Sequence, residues 1–323
     1  MSNHPAVETV IDRIRRDVIG GAADIAKEVV QALTEFVEDS QIRDVKEFTE
    51  EFQGAVIDIL RVTPSFAPPV NAMNRLLVNL EKNIEMNKSV TEVKKELLVA
   101  SREFQIWAEG ALSRIAQFGA EKIKDGDTVF MYSMSSTVWR ILRWAKAQNK
   151  SFNVMVTESR PMNEGLWTVD AMLKEKIPVS VSIDACIGEL VAKSDIVFVG
   201  ADAIGSNGFA FCKVGTYPTA LVARRHGVPF YIAADTLKFD AGSLLGLPFR
   251  ADLVPHHDVL DESYPQDIPV IGRLFDETPP DLITGIITEV GILPPTACAN
   301  IILQMKLSQK LSEWLPAWAF GSL

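Results

Sequence analysis

Cysteine is scarce in this chain: Cys186, Cys212 and Cys298 are the three among 323 residues, an odd number with no CxxC spacing. That pattern excludes a disulfide framework and a structural zinc site, and a reducing, cytoplasmic setting is expected. Positive charge is also short, with 32 Lys and Arg against 42 Asp and Glu and a formal charge of -10. No run of basic residues breaks that balance, so an extended phosphate-backbone footprint, and with it nucleic acid as a partner, is not expected. No stretch approaches the roughly 18 apolar residues of a membrane span, and the N-terminal segment lacks the apolar core of a signal peptide. Membrane association and export are therefore not expected. GxGxxG, Walker and GxSxG patterns are missing too, which leaves a nucleotide-phosphate cradle or a serine-hydrolase elbow without support. Neither a metal nor a cofactor is expected.

What is present is material for a large core, since 47% of the residues are hydrophobic and 23% charged. At this length two domains are expected, and global disorder is excluded. From about residue 5 to 120 the apolar residues recur at helical spacing, as in Val7, Val10, Ile11 and Ile14, and again in Phe48, Phe52, Val56, Ile59 and Leu60. Breaks fall at Gly20-Gly21, at Glu38 to Gln41, and at Thr63 to Pro69, where three prolines forbid a continuous helix. Four or five helices are predicted. After Gly126 short β-branched or aromatic runs alternate with helical stretches. Strands are predicted over Thr128–Tyr132, Phe152–Thr157, Val179–Ile183, Ile196–Val199 and Pro229–Ala233, with crossover helices over Thr137–Gln148, Val169–Lys176 and Thr219–His226. The fold class is α/β: a helical domain over 1–120 and a Rossmann-like domain with a doubly wound parallel sheet over 121–323. The apolar tail from Trp314 to Phe320 is expected to pack against the body or another subunit.

In an open α/β sheet the ligand crevice lies beyond the carboxyl ends of the strands. There the first strand runs into Ser133-Met134-Ser135-Ser136-Thr137, whose hydroxyls and helix-opening N–H groups suit an anion, or alternatively serve only as an N-cap. The second ends in Glu158-Ser159-Arg160-Pro161 followed by Glu164-Gly165, and the third in Asp184-Ala185-Cys186. Arg160 suits a forked contact with a carboxylate or phosphate, or internal pairing with Glu158 or Asp184. The fourth gives Gly200-Ala201-Asp202-Ala203-Ile204, Ser206-Asn207-Gly208 and Lys213-Val214-Gly215-Thr216. A carboxylate after a buried strand suits a proton carrier, a lysine an anionic group; a turn-capping aspartate is the alternative. His256-His257-Asp258 has no third metal ligand spaced to join it, and surface placement is expected.

Taken together, Glu158-Ser159-Arg160-Pro161 with Glu164-Gly165, Gly200 to Ile204 with Asn207-Gly208, Lys213 to Thr216, Pro229-Phe230-Tyr231 with Lys238-Phe239, and Phe275 to Pro280 with Ile287-Thr288-Glu289 are similar to one family. It unites the α, β and δ regulatory subunits of translation initiation factor 2B with ribose-1,5-bisphosphate isomerase and methylthioribose-1-phosphate isomerase. The resemblance implies a helical N-terminal and a Rossmann-like C-terminal domain, with dimers or hexamers formed through the C-terminal half. It further implies aldose-ketose isomerisation, an intramolecular redox reaction, by a cysteine after the first strand and the aspartate of the GAD motif. Asp202 matches that aspartate, whereas Ser133 stands at the cysteine position. A hydroxyl is a poor proton donor or acceptor at neutral pH beside a thiol. An Arg-Gly-Ala element of the enzymes reads Gly20-Gly21-Ala22 here, an Arg-Pro-Thr-Ala element aligns with Thr63-Pro64-Ser65-Phe66, and an Asn-Lys pair is Cys212-Lys213. Loss of two charge-assisted phosphate contacts at about 1.5–3 kcal/mol each weakens a bisphosphate by roughly two to four decades.

The expected function is binding of a small phosphorylated sugar or nucleotide-like ligand with altered or lost catalysis. Asp202 and Ser133 occupy the catalytic positions, and Arg160, Glu164, Asn207, Lys213, Gly21, Ser135 and Ser136 are expected to contact the ligand. The alternative is a noncatalytic regulatory subunit that has another initiation factor as its partner. A thiol supplied instead by Cys212 or Cys186 is a variant of the enzyme reading, with Lys213 lowering the pKa of its neighbour; buried packing is the competing role for both.

Overall fold

The computed structural model describes residues 4–16, 21–63, 67–247, 249 and 252–319. They form two compact units, and neither is a continuous stretch of chain.

The helical unit comprises Met1–Glu109, Leu237–Pro248 and Ile302–Leu323. Its N-terminal helices are α1 (Pro5–Arg15), α2 (Ala22–Asp39), α3 (Val45–Val62), α4 (Ala67–Glu85) and α5 (Val90–Ala120), of which α5 runs on past the unit's limit. In α2 the residues Ile25, Val29, Val30, Leu33, Phe36 and Val37 repeat at three- and four-residue spacing and bury one face. Helix α3 begins where the Asp44 carboxylate accepts the Glu47 N–H at 2.8 Å, and Phe48 and Phe52 pack with Phe36 in the core. The break predicted around Thr63 is present: α3 stops at Val62, and α4 takes Pro68 and Pro69 into its first turn, where missing N–H groups cost nothing. Gly20 and Pro64 to Phe66 of the predicted breaks lie outside the described residues.

A single cut at residue 120 does not describe this unit. The buried Asn71 side chain donates to the carbonyls of Leu237 and Phe239 at 2.7 and 2.8 Å, and Leu237 joins the helical core. Asn74 likewise donates to the Lys306 carbonyl at 2.8 Å and accepts the Ser308 N–H at 2.9 Å. Leu311 and Trp314, on the C-terminal helix of the unit, are buried in the same core. Packing of the tail against the body is thus realised at Trp314; Phe320 lies outside the described residues.

The sheet unit comprises Gly110–Thr236 and Phe249–Ile301. Its elements run β1 (Thr128–Met131), α6 (Ser136–Ala147), β2 (Asn153–Thr157), α7 (Glu164–Lys174), β3 (Val179–Ser182), α8 (Ile187–Ala192), β4 (Ile196–Gly200), β5 (Ala203–Ile204), β6 (Ala210–Lys213), α9 (Thr216–His226), β7 (Phe230–Ala233), β8 (Phe275–Thr278), β9 (Gly285–Thr288), β10 (Gly291–Leu293) and α10 (Cys298–Leu303); the chain then ends in α11 (Gln309–Ala319) of the helical unit. The main sheet has the order β10-β9-β7-β4-β1-β2-β3, parallel except for β10. Strand order reverses between β1 and β4, which lie side by side. A fully parallel sheet was the expectation; the antiparallel edge arises because β9 and β10 are joined by a two-residue turn, too short for a crossover. A second antiparallel sheet, β5-β6-β8, was not predicted at all.

Candidate functional site

Strand order reverses between β1 and β4, and sheets of this kind bind their ligands beyond the strand ends at such a reversal. Ser133 follows β1 with a left-handed backbone (φ 61°), sparsely populated for a non-glycine residue. Its surroundings hold it there. The Ser133 N–H donates to Ser159 Oγ at 2.9 Å, its carbonyl accepts from Thr168 Oγ1 at 2.9 Å, and its hydroxyl donates to the Glu164 carboxylate. Glu164 opens α7 and meets Lys213 Nζ, from the end of β6, at 3.0 Å, with both side chains only 12% exposed. The ammonium also lies 4.7 Å from the centroid of the Phe275 ring on β8. Hydroxyl, carboxylate and ammonium from three elements therefore form one chain of contacts.

Two glycines permit the close approaches behind this arrangement. A Cβ on Gly200, the last residue of β4, would sit 2.5 Å from Ser135 Oγ. One on Gly215 would overlap the Tyr132 hydroxyl, and Gly215 also has φ 102°. Tyr132 donates to the Val214 carbonyl at 2.9 Å and so joins the end of β1 to the β6–α9 turn.

The other predicted contacts fall in different places. Asp202 follows β4 and is half-buried, its backbone N–H donating to the Phe211 carbonyl at 2.9 Å. Ser135 accepts the Val138 N–H at 3.3 Å as the N-cap of α6, and Ser136 is exposed in the first turn. Arg160 is exposed, and its guanidinium donates to the Asp258 carbonyl; it pairs with neither Glu158 nor the Asp184 carboxylate, which instead accepts the Ser159 and Arg160 N–H groups at 2.9 and 2.8 Å. Asn207 is exposed and accepts the Phe209 N–H at 3.2 Å within its turn. Gly21 belongs to the helical unit, where its carbonyl receives the Asp24 and Ile25 N–H groups at the start of α2. His256 and His257 lie in a tight helical turn rather than an extended segment, His257 exposed and His256 half-buried. Cys212 is buried in β6 and Cys186 is half-buried. Among the described residues no group of three or more His, Cys, Asp or Glu side chains could hold a metal ion.

Sequence reasoning missed the supporting carboxylates. Asp276 on β8 accepts the N–H groups of Gly215 at 2.7 Å and Tyr217 at 3.1 Å, capping α9 from a distant segment. Burial pushes its pKa up to about 6 against the lowering effect of those N–H donors. Glu289, after β9, accepts the Thr236 N–H at 3.0 Å and the Thr236 hydroxyl, and burial raises its pKa as well. The Tyr132 hydroxyl is raised by burial first, then by the fields of Asp184, Asp276, Glu164 and Glu158. The only signal for Asp276 and Glu289 was their place in the family-like motifs.

The profile of the initiation factor 2 subunit family matches residues 18–295. Ribose 1,5-bisphosphate isomerase of Thermococcus kodakarensis is 31% identical over 297 residues, 91% of this chain and 92% of that protein. A putative translation initiation factor eIF-2B subunit 2-like protein of Pyrococcus furiosus is 32% identical over 289 residues, 90% of this chain and 96% of the relative. Among solved structures, the tetrameric eIF2B-beta2-delta2 complex from C. thermophilum aligns at a TM-score of 0.75 and 26% identity, covering 88% of this chain and 91% of that one.

Proposed function

Because the chain belongs to the initiation factor 2 subunit family, we propose that the crevice of its sheet unit binds a small phosphorylated sugar or nucleotide-like ligand, with aldose-ketose isomerisation altered or lost. The observation that carries this reading is the contact of Ser133 and Lys213 through Glu164 at the crevice. Lys213 supplies a shielded cation for a phosphoryl oxygen. Asp202, at the end of β4, is the proton carrier in this proposal, and the α6 opening at Ser135 and Ser136 faces the same strand ends. Arg160 gives one guanidinium N–H to the Asp258 carbonyl and keeps its other donors for a ligand in this proposal. Ser133 provides a hydroxyl that already donates to Glu164, and its intrinsic acidity is too low to replace a thiol in proton transfer.

A serine at this position equally favours a second reading, a noncatalytic regulatory subunit of the kind named for the Pyrococcus furiosus relative. Self-association as a dimer or hexamer and a cytoplasmic location belong to both readings. No helix among the described residues is long and apolar enough to cross a membrane.

The test is turnover of ribose 1,5-bisphosphate and 5-methylthioribose 1-phosphate by the purified protein and by the Ser133→Cys and Asp202→Asn variants. Wild type is expected to bind without efficient turnover. Ser133→Cys is expected to raise the rate by about 10²-fold, the lower end of what a matched proton carrier contributes, and Asp202→Asn in that background to remove the gain. Binding with no gain in Ser133→Cys, combined with co-purification of another initiation factor, supports the regulatory reading. Absence of binding by either compound contradicts the small-molecule proposal.

A further inference from the structure

The charge around the crevice is lopsided. Asp184, Asp276, Glu164 and Glu158 all lie close enough to the Tyr132 hydroxyl at the end of β1 for their fields, after burial, to raise its pKa. The strand ends answer with Lys213 and Arg160. Glu164 lies 3.0 Å from Lys213 with both side chains 12% exposed, so the ammonium is largely neutralised before a ligand arrives. Arg160 is exposed and gives one guanidinium N–H to the Asp258 carbonyl, so its charge is screened by water rather than neutralised. Glu164 is itself fixed by the Ser133 hydroxyl and by its place at the start of α7, so it does not simply swing aside.

We infer that Glu164 is a specificity-determining residue of this crevice, holding its ligand to a single phosphoryl group. The inference rests on the sugar-phosphate reading above. One phosphoryl group gains the Lys213 ammonium and shares it with Glu164. A second adds about two negative charges, finds only the exposed and water-screened Arg160 to answer them, and meets the remaining carboxylates at short range. Glu164 sets the balance because it is the carboxylate in direct contact with the anion-binding ammonium and competes with every phosphoryl group for that charge. A polyol bearing one phosphate also offers hydroxyls to the carboxylates, which a second phosphate does not.

The experiment is calorimetric titration of the full chain with ribose 5-phosphate and ribose 1,5-bisphosphate, in wild type and in Glu164→Gln. Wild type is expected to hold the monophosphate at least about ten-fold more tightly. Glu164→Gln, which keeps an acceptor for Ser133 and removes the charge, is expected to shrink that ratio by about ten-fold. A merely structural role for Glu164 would weaken both probes together and leave the ratio unchanged. The same titrations of wild type at about 0.01 M and 0.15 M ionic strength are independent of whether the variant folds, and the ratio is expected to fall as screening increases. Tighter binding of the bisphosphate by wild type, or a ratio indifferent to both the substitution and salt, overturns the inference while leaving sugar-phosphate binding intact. No heat with either probe overturns both.

Discussion

At the scale of single residues, a phosphate-free measurement isolates Asp276. Its folded-state pKa of about 6 lies above the ordinary carboxylate value, so the folded protein keeps this proton to higher pH than the unfolded chain does. The contribution to stability is complete below about pH 4 and is lost as the pH rises through about 6. Thermal unfolding of wild type and Asp276→Asn across that window is expected to show wild type losing on the order of 2 kcal/mol relative to the variant. Parallel pH profiles would show that burial does not raise this carboxyl. Ser133, Glu164 and Lys213 were individually legible in the sequence because each follows an apolar strand or opens a helix. Their mutual contact was not legible, because three elements distant in sequence supply them. Asp276 was hidden for a related reason: it caps α9 from a strand well downstream, so no local N-cap pattern marks it.

At the scale of elements, five of the parallel strands, β1, β2, β3, β4 and β7, could be read from their β-branched and aromatic runs, and the breaks before α2, α3 and α4 from glycine, a polar stretch and proline, whereas the break between α4 and α5 was not predicted. The β5-β6-β8 sheet escaped detection because β5 has two residues and β8 reads Phe-Asp-Glu-Thr, with no apolar alternation. Yet this small sheet is what brings Lys213 and Phe275 together and supplies the Asp276 cap. The β6–α9 turn is expected to be its sensitive point. Gly215→Ala combines a positive φ with overlap of the Tyr132 hydroxyl and is expected to cost about 1–3 kcal/mol in chemical denaturation. A neutral substitution would mean that β1 and this turn separate without penalty. In the helical unit, Trp314→Ala is expected to cost about 3 kcal/mol, since the ring is 8% exposed within the core. A change in oligomeric mass without loss of stability would instead assign Trp314 to an interface.

At the scale of the whole molecule, the chain returns twice to the helical unit, with Leu237–Pro248 and Ile302–Leu323. A fragment of residues 1–120 consequently lacks the backbone partners of Asn71 and Asn74 and the side chains of Leu237, Leu311 and Trp314. Such a fragment is expected to show no cooperative unfolding by circular dichroism, and a sharp transition would contradict the two-way return of the chain. This interleaving was not legible because a pattern of local periodicity says where elements lie and not which unit they join. The central claim is that the Ser133–Glu164–Lys213 cluster receives a phosphorylated ligand, and thermal unfolding of wild type beside Lys213→Gln, with and without ribose 5-phosphate, tests it most directly. At 100 times its dissociation constant the ligand is expected to add about 2.7 kcal/mol to wild type and far less to the variant; no stabilisation of wild type, or equal stabilisation of both proteins, would contradict the claim.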